Sequence, residues 1–272
     1  MIIKLLGVLA AAYLVIVSVL WGAQERMVLP GPARPLPDPR LHGFAGGERV
    51  TVTAYDRTEL HGWYLPPEGG EGTPAPGLLW FYGNMETVGV LADVFEFLKP
   101  SGIGLLALDY RGYGENAGRA SESAIERDGE VAMEYLRSRP EIDASKIAVY
   151  GRSIGSTVAM HLATRFPVSA VVFDSPMSTA RDVAAEHYWF FPKLLVRLEL
   201  DNVGRASDVE APLLVLHGVD DQIIPSWMGE AVADAAPNGT FVALAGAGHN
   251  TTYAVDPERY RKILWDHLGV DR

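Results

Sequence analysis

Residues 151–155 read Gly-Arg-Ser-Ile-Gly, and this is the segment of the chain whose residue types could most directly do chemistry. A serine with a glycine two positions away on each side can occupy a strained strand-to-helix turn that exposes its hydroxyl above a sheet. The glycines are needed because the turn brings neighbouring backbone too close for a Cβ atom. An apolar run at 146–150 precedes the motif, and helical spacing follows it at 156–166. Since G-x-S-x-G also occurs in ordinary loops, it is this context that predicts Ser153 as a nucleophile.

A serine hydroxyl near neutral pH needs a base within hydrogen-bond reach, and a carboxylate must then hold the base in the right tautomer. His249 follows the last apolar run, and Asp220 and Asp221 follow the run before it. Alone, a loop histidine is usually solvated and an aspartate after a strand usually caps a turn. Their order along the chain, serine then aspartate then histidine, is one that triad hydrolases use. Asp174 is a second candidate for the acid, with a structural role favoured.

Alternating strand and helix patterns predict how these residues are brought together. Residues 49–55 and 59–65 alternate apolar and polar positions, which indicates an antiparallel hairpin. Fully apolar runs follow at residues 77–82, 103–109, 146–150, 170–173, 213–216 and 241–244. Helical patterns cover residues 86–98, 123–139, 156–166, 227–236 and 257–268. This arrangement predicts an α/β fold with a mostly parallel sheet, whose strands carry ligands at their carboxyl ends.

The N-terminal segment differs from the rest of the chain. Residues 5–21 are almost wholly apolar and uncharged, which approaches the ~20 residues of a membrane-spanning helix. A signal peptide would end in a better cleavage site, and a buried soluble helix would have a polar face. We therefore expect an uncleaved anchor at residues 1–24, with Lys4 indicating an extracytoplasmic catalytic domain. A proline-rich spacer is expected at 25–47 and the catalytic domain at 48–272, with a small cap-like insert at 176–210.

Composition excludes several classes of function. The 272 residues include 23 Lys plus Arg against 34 Asp plus Glu, for a formal charge of −11, which argues against nucleic acid as a partner. The chain has no cysteine, so disulfides, thiol catalysis and thiolate metal sites are excluded. No metal-ligand spacing of histidines and no nucleotide-binding fingerprint is found either. We expect no metal and no cofactor.

Several further motifs resemble a known family. They are Trp-Phe-Tyr-Gly-Asn at 80–84, Asp-Tyr-Arg-Gly-Tyr-Gly at 109–114, His-Gly-Val-Asp-Asp-Gln-Ile-Ile-Pro at 217–225 and His-Tyr-Trp-Phe-Phe-Pro at 187–192. With residues 151–155, they make the chain similar to serine hydrolases of the α/β-hydrolase superfamily, in particular Bem46-like proteins and hydrolases of the serine-aminopeptidase (S33) type. The resemblance runs from about residue 25 to the C-terminus. It implies an eight-stranded α/β-hydrolase fold, often preceded by an N-terminal hydrophobic anchor.

The resemblance also implies roles for single residues. It selects Asp221 over Asp220, because the family acid stands three residues past the His-Gly pair. One amide of the oxyanion hole is expected from Ile154, directly after the nucleophile. The family pattern implies Asn84 for the other amide. The chain departs from that pattern at Tyr82, where the family usually has histidine.

The expected activity is cleavage of an acyl ester or thioester through an acyl-enzyme that water resolves. A small-molecule or lipid-like acyl substrate is expected, with the membrane as partner through the N-terminal helix. Amide hydrolysis passes through the same intermediate and stays an alternative, as does a non-catalytic, membrane-tethered binding protein on this fold. The aromatic residues 188–191 either line an acyl pocket or form the core of the insert.

Overall fold

The computed structural model describes residues 1–69 and 72–270, and within them eight strands form a single sheet. The strand order is β1-β2-β4-β3-β5-β6-β7-β8. Strands β1 and β2 pair antiparallel with each other, β2 also pairs antiparallel with β4, and every later neighbour is parallel. The strands are β1 (Glu48–Thr53), β2 (Glu59–Leu65), β3 (Ala75–Phe81), β4 (Gly104–Leu108), β5 (Ile142–Arg152), β6 (Val171–Asp174), β7 (Leu213–Gly218) and β8 (Gly239–Leu244). The predicted mostly parallel, eight-stranded α/β sheet is confirmed.

Helices cover both faces of this sheet. They are α1 (Ile2–Val28), α2 (Ala92–Leu98), α3 (Glu122–Arg137), α4 (Gly155–Arg165), α5 (Ala180–His187), α6 (Asn202–Ala206), α7 (Ser226–Ala235) and α8 (Pro257–Leu268). Trp80 of β3 packs edge-on against Phe95 of α2, while its neighbour Phe81 points toward Gly129 of α3. Because successive strand side chains point to opposite faces, α2 and α3 lie on opposite sides of the sheet.

Burial explains why the central strands are continuous apolar runs. Every residue of β4 and of β6 is buried, as expected for strands with a covering layer on both faces. Trp80 stacks on Tyr150 of β5 with ring centroids 3.6 Å apart, and both are fully enclosed. The large aromatic side chains therefore hold the middle of the sheet rigid, directly beneath the end of β5 that carries Ser153.

One helix is shorter than the sequence pattern predicts. The pattern covers residues 86–98, but α2 begins only at Ala92, after a 3₁₀ turn at Val88–Leu91. The side chain of Glu86 accepts a hydrogen bond from the Gly83 amide at 2.7 Å, and the buried Asp109 accepts one from the Val88 amide at 2.7 Å. These side chains satisfy backbone donors that a helix would otherwise leave free at its start, so residues 83–87 form a loop.

The N-terminal boundary also differs from the expectation. Helix α1 continues to Val28, four residues past the expected end of the anchor. The proline-rich segment that follows is docked on the domain and is not a free spacer. Leu36 is buried, the Pro37 carbonyl accepts a hydrogen bond from the Trp63 indole, and the Pro32 carbonyl accepts one from the Gly114 amide. Because prolines fix an extended backbone, the segment keeps its carbonyls available for these contacts.

Candidate active site

The loop that carries Ser153 connects the end of β5 to the start of α4. Ser153 has φ +51°, a left-handed conformation that costs a residue with a Cβ atom about 1–3 kcal/mol. A Cβ at Gly151 would lie 2.5 Å from the Gly155 carbonyl oxygen, and one at Gly155 would overlap the Phe81 carbonyl. Both motif glycines are therefore required by close backbone approach. The predicted strained turn between strand and helix is present.

Ser153, His249 and Asp221 form one hydrogen-bonded chain. The Ser153 Oγ lies 3.1 Å from His249 Nε2, and His249 Nδ1 lies 2.7 Å from Asp221 Oδ2. The three residues follow β5, β8 and β7, so the carboxyl edge of the sheet brings them together from positions up to 96 residues apart. The first distance suits transfer of the hydroxyl proton to the imidazole, and the second suits orientation of the imidazole by the carboxylate.

The Asp221 carboxylate is buried, and both of its oxygens have hydrogen-bond partners. Its Oδ1 accepts hydrogen bonds from the amides of Ile223 and Ile224, each at 2.8 Å. Its Oδ2 faces both His249 and His217, whose Nε2 lies 3.3 Å away. Burial raises the pKa of Asp221, but the hydrogen bonds from the two histidines outweigh burial and hold that pKa well below its usual range. The neighbouring Asp220 is exposed.

Asp174, the second candidate for the acid, has another environment. Its Oδ2 accepts hydrogen bonds from the Tyr150, Thr252 and Tyr260 hydroxyls at 3.1, 2.8 and 3.0 Å. Its backbone carbonyl accepts a hydrogen bond from the Ser153 amide. The carboxylate thus links β5 to α8 through hydrogen bonds to their tyrosines. This agrees with the structural role expected for Asp174.

Asn84 and Ile154, the expected oxyanion-hole residues, both line the cavity into which Ser153 opens. Ile154 follows the serine directly and is buried. Asn84 lies in the loop after β3, beside the Gly83 amide that Glu86 holds. The loop after β3 and the turn after β5 therefore both reach the cavity that Ser153 lines.

Tyr82, where the family usually has histidine, is accommodated by a buried network. Its hydroxyl donates to Asp109 Oδ1 at 2.9 Å and accepts from the Tyr110 amide at 2.9 Å. The Tyr110 hydroxyl in turn donates to the Tyr82 carbonyl at 3.0 Å. Burial raises the pKa of Asp109 to about 6, even though its hydrogen bonds act in the opposite direction. The start of the loop after β3 is thus fixed by hydrogen bonds that Tyr82 forms with Asp109 and Tyr110 through its hydroxyl and its carbonyl.

Arg152 is a site residue that the sequence patterns do not single out. It occupies a variable position of the G-x-S-x-G motif, yet it is buried and contacts two other loops. Its guanidinium binds Glu86 Oε1 at 2.6 Å and donates to the His249 carbonyl and to Asn250 Oδ1, each at 2.8 Å. Since Glu86 also holds the Gly83 amide, one side chain joins the turn at Ser153, the histidine loop and the loop after β3. His217, which contacts Asp221, is a second such residue: its His-Gly pair marks the position of the acid, but no sequence pattern gives the histidine a role of its own.

A cavity of about 380 Å³ opens beside Ser153. Its lining is mostly apolar, and the insert contributes Tyr188 and Phe191, whereas Trp189 is 85% exposed. The aromatic residues 188–191 are therefore divided between the cavity and the surface. Helix α1 supplies a further part of the wall, through Leu20, Gln24, Met27 and Val28. Among the described residues, acidic and histidine side chains form no cluster suited to a metal ion.

Serine, aspartate and histidine meet here in the chain order, and at the strand ends, that characterise the α/β-hydrolase class. Comparison with known proteins agrees with this assignment. Residues 73–207 match the sequence profile of the family described as serine aminopeptidase, S33. An uncharacterized protein of Mycobacterium tuberculosis is 36% identical over 248 residues, which cover 89% of this chain and 84% of that protein. The chain therefore belongs to the α/β-hydrolase superfamily of serine hydrolases.

Solved structures are similar in fold at low sequence identity. An esterase of Pyrococcus furiosus superposes with a TM-score of 0.72 at 20% identity, covering 88% of this chain and 98% of the esterase. An acylaminoacyl peptidase of Pyrococcus horikoshii superposes with a TM-score of 0.61 at 20% identity, covering 82% of this chain and 40% of the peptidase. The fold is thus shared by proteins named for ester cleavage and by proteins named for amide cleavage.

Proposed function

We propose that the protein cleaves an acyl ester or thioester by nucleophilic catalysis at Ser153. The observation that carries the proposal is the unbroken hydrogen-bonded chain from Ser153 through His249 to Asp221. His249 takes the hydroxyl proton as Ser153 attacks the carbonyl carbon, and Asp221 stabilises the imidazolium that forms. The proton then passes to the leaving alcohol or thiol, which departs as the acyl-enzyme forms. Water, activated by His249, cleaves the acyl-enzyme and regenerates the serine.

Negative charge on the tetrahedral intermediate is stabilised by the amides of Asn84 and Ile154. Backbone donors suit this role because they are held rigid before the reaction and need no reorganisation as charge develops. The Glu86 contact to the Gly83 amide supports this assignment, since it fixes the loop immediately before Asn84.

The apolar lining of the cavity supports an apolar acyl group as the substrate's recognised part. A soluble peptide amide has less use for such a lining, although it would react through the same intermediate. Helix α1 is long and apolar enough to cross a membrane, a test that a signal sequence also passes. We propose that it is retained as an anchor, with Lys4 on the cytoplasmic side and the catalytic domain on the other.

A fluorophosphonate probe tests the nucleophile. We expect the wild-type chain to be labelled and the Ser153→Ala variant to be unlabelled. A Ser145→Ala variant, changed at an exposed serine near the amino-terminal end of β5, far from Ser153, should be labelled as wild type. Folded wild-type protein that takes up no probe would refute the proposal and favour a non-catalytic binding protein. Rates on esters of graded chain length, thioesters and aminoacyl amides then test the substrate class. Faster cleavage of the amides would favour a peptidase.

A further inference from the structure

Helix α1 contacts the insert at positions from Tyr13 to Gln24. The Gln24 side chain donates to the Leu195 carbonyl at 2.9 Å and accepts from the Arg197 amide at 2.7 Å. The Arg197 guanidinium lies over the Trp21 ring, 4.9 Å from its centroid. Eleven residues before Gln24, the Tyr13 hydroxyl donates to the Phe190 carbonyl at 3.0 Å. The insert therefore extends along the apolar part of the helix, back toward its N-terminus.

The length of α1 limits where a bilayer can lie around it. Residues 1–12, which precede the contact at Tyr13, are all exposed and account for about 18 Å of helix at a rise of ~1.5 Å per residue. The hydrocarbon core of a bilayer is about 30 Å thick. If α1 spans, the helix on the C-terminal side of Tyr13 must also lie within the bilayer. The segment of the insert that packs on it must then enter the same leaflet.

The outer surface of that segment fits a lipid environment. Residues 188–195, here termed the insert tip, present Trp189 at 85% and Leu194 at 82% exposure, with the exposed Lys193 between them. Tryptophan and lysine are the residues that anchor chains at the membrane interface, and leucine suits the acyl region. Lys193 is the one charged residue of the tip, and its long side chain can reach the headgroups while its stem lies along apolar surface.

The cavity beside Ser153 lies at the junction of α1 and the insert. Both elements line it, the helix through Leu20, Gln24, Met27 and Val28 and the insert through Tyr188 and Phe191. Building on the function proposed above, we propose that the insert tip is embedded in the bilayer. We further propose that the substrate is an acyl ester of the bilayer itself, whose chain enters the cavity between α1 and the insert without crossing water.

The position of the insert tip can be measured independently of activity. The chain has no cysteine, so Trp189→Cys gives a single site for a nitroxide label in the full-length protein in phosphatidylcholine nanodiscs. We expect this label to be relaxed by oxygen and protected from a neutral nickel chelate. The same label at Lys146→Cys, exposed in the amino-terminal half of β5, should show the reverse. Equal access of the nickel chelate to both labels would overturn the proposal.

Activity tests the route of the substrate. The double variant Trp189→Asp/Leu194→Asp changes two side chains that do not line the cavity. We expect it to cleave 1-oleoylglycerol in phosphatidylcholine vesicles at least about tenfold more slowly than wild type, because charge disfavours insertion, with unchanged cleavage of soluble p-nitrophenyl butyrate. Leu41→Asp, which makes the same change at a leucine 80% exposed outside the insert, is the control and should leave both rates unchanged.

Two other results of this comparison would overturn the proposal: unchanged rates on both substrates, or equal losses on both. Failure of the proposed function itself has a different signature. Wild-type protein would then cleave neither substrate and would not react with the fluorophosphonate, whereas the nitroxide measurement would still report the position of the tip.

Discussion

Replacement of Arg152 by methionine tests whether the three loops of the site depend on one side chain. Methionine keeps much of the volume and removes the charge and all donors. The change abolishes the 2.6 Å contact to Glu86 and the two 2.8 Å hydrogen bonds to the His249 carbonyl and to Asn250. It also leaves the Glu86 carboxylate, which is largely buried, without its counter-charge.

The expected loss of stability follows from these contacts. Hydrogen bonds to charged groups contribute about 1.5–3 kcal/mol each, and Arg152→Met removes three. Part of this is offset, because a buried guanidinium carries a desolvation penalty that disappears with it. Removal of one partner of a buried ion pair typically costs about 3–5 kcal/mol, and we expect a decrease in the free energy of unfolding in that range.

Activity should fall for a different reason. Without Arg152 the carbonyl of His249 loses its donor, so the imidazole is held less firmly at its distance of 3.1 Å from Ser153. A displacement of about 1 Å at a reacting group costs on the order of 100-fold in rate. Because Arg152 does not line the cavity, kcat should fall by about this factor while KM changes little.

Denaturant unfolding and steady-state hydrolysis of p-nitrophenyl butyrate measure the two effects. The control is Arg165→Met, which removes an exposed arginine paired with Glu130 at 2.8 Å and should change stability by less than about 1 kcal/mol. Adding Glu86→Gln to Arg152→Met should restore part of the stability but not kcat, since the His249 carbonyl still lacks its donor. The reasoning is refuted if Arg152→Met matches Arg165→Met in both stability and kcat.

Three further predictions concern aspartates. The pKa of Asp109 is raised from 3.8 to about 6, so the native state holds its proton longer than the unfolded chain as pH rises. The stability of wild type relative to Asp109→Asn should therefore fall between pH 4 and 6, by on the order of 3 kcal/mol in unfolding titrations. Asp221→Asn should lower kcat about 10⁴-fold. It should also remove stability that ionised Asp221, whose pKa is lowered, supplies above pH 4 and loses as pH falls below it. Asp174→Asn should cost about 1–3 kcal/mol of stability through its hydroxyl contacts while keeping kcat within about tenfold, and a 10⁴-fold loss would instead make it the acid.

The parts of the fold that the sequence predicted are those set by local periodicity and by parallel-sheet geometry. The predicted helix at 257–268 matches α8 at both ends, because Asp256 caps it through the Arg259 amide and Pro257 opens it. Ser153, Asp221 and His249 could be predicted together because strands β5, β7 and β8 all end at the same edge of the sheet. That edge is a property of the topology and needs no knowledge of individual contacts.

Residues that act through long-range side-chain contacts could not be found in this way. Arg152 has no distinguishing spacing, and its partners Glu86 and Asn250 stand 66 and 98 positions away. The start of α2 was missed for the same reason, since the Val88 amide is satisfied by Asp109, 21 positions further on. A local sequence pattern contains no information about such distant partners. The helical spacing therefore extends through residues 86–91, although tertiary hydrogen bonds keep the start of this segment out of the helix.

Local sequence patterns are least sufficient for predicting the boundary between the anchor and the catalytic domain. Composition places that boundary near residue 24, because Glu25 and Arg26 are the first charged residues after Lys4. Gln24, Met27 and Val28 nevertheless form part of the cavity wall. A chain beginning at residue 25 would lose Leu20 and Gln24, and with them the contacts that hold Leu195 and Arg197. Activity measured on such a soluble fragment would therefore describe a cavity that has lost part of its wall. A chain-length preference is interpretable only for the full-length protein, because the helix expected to hold the domain at the membrane also shapes the cavity beside Ser153.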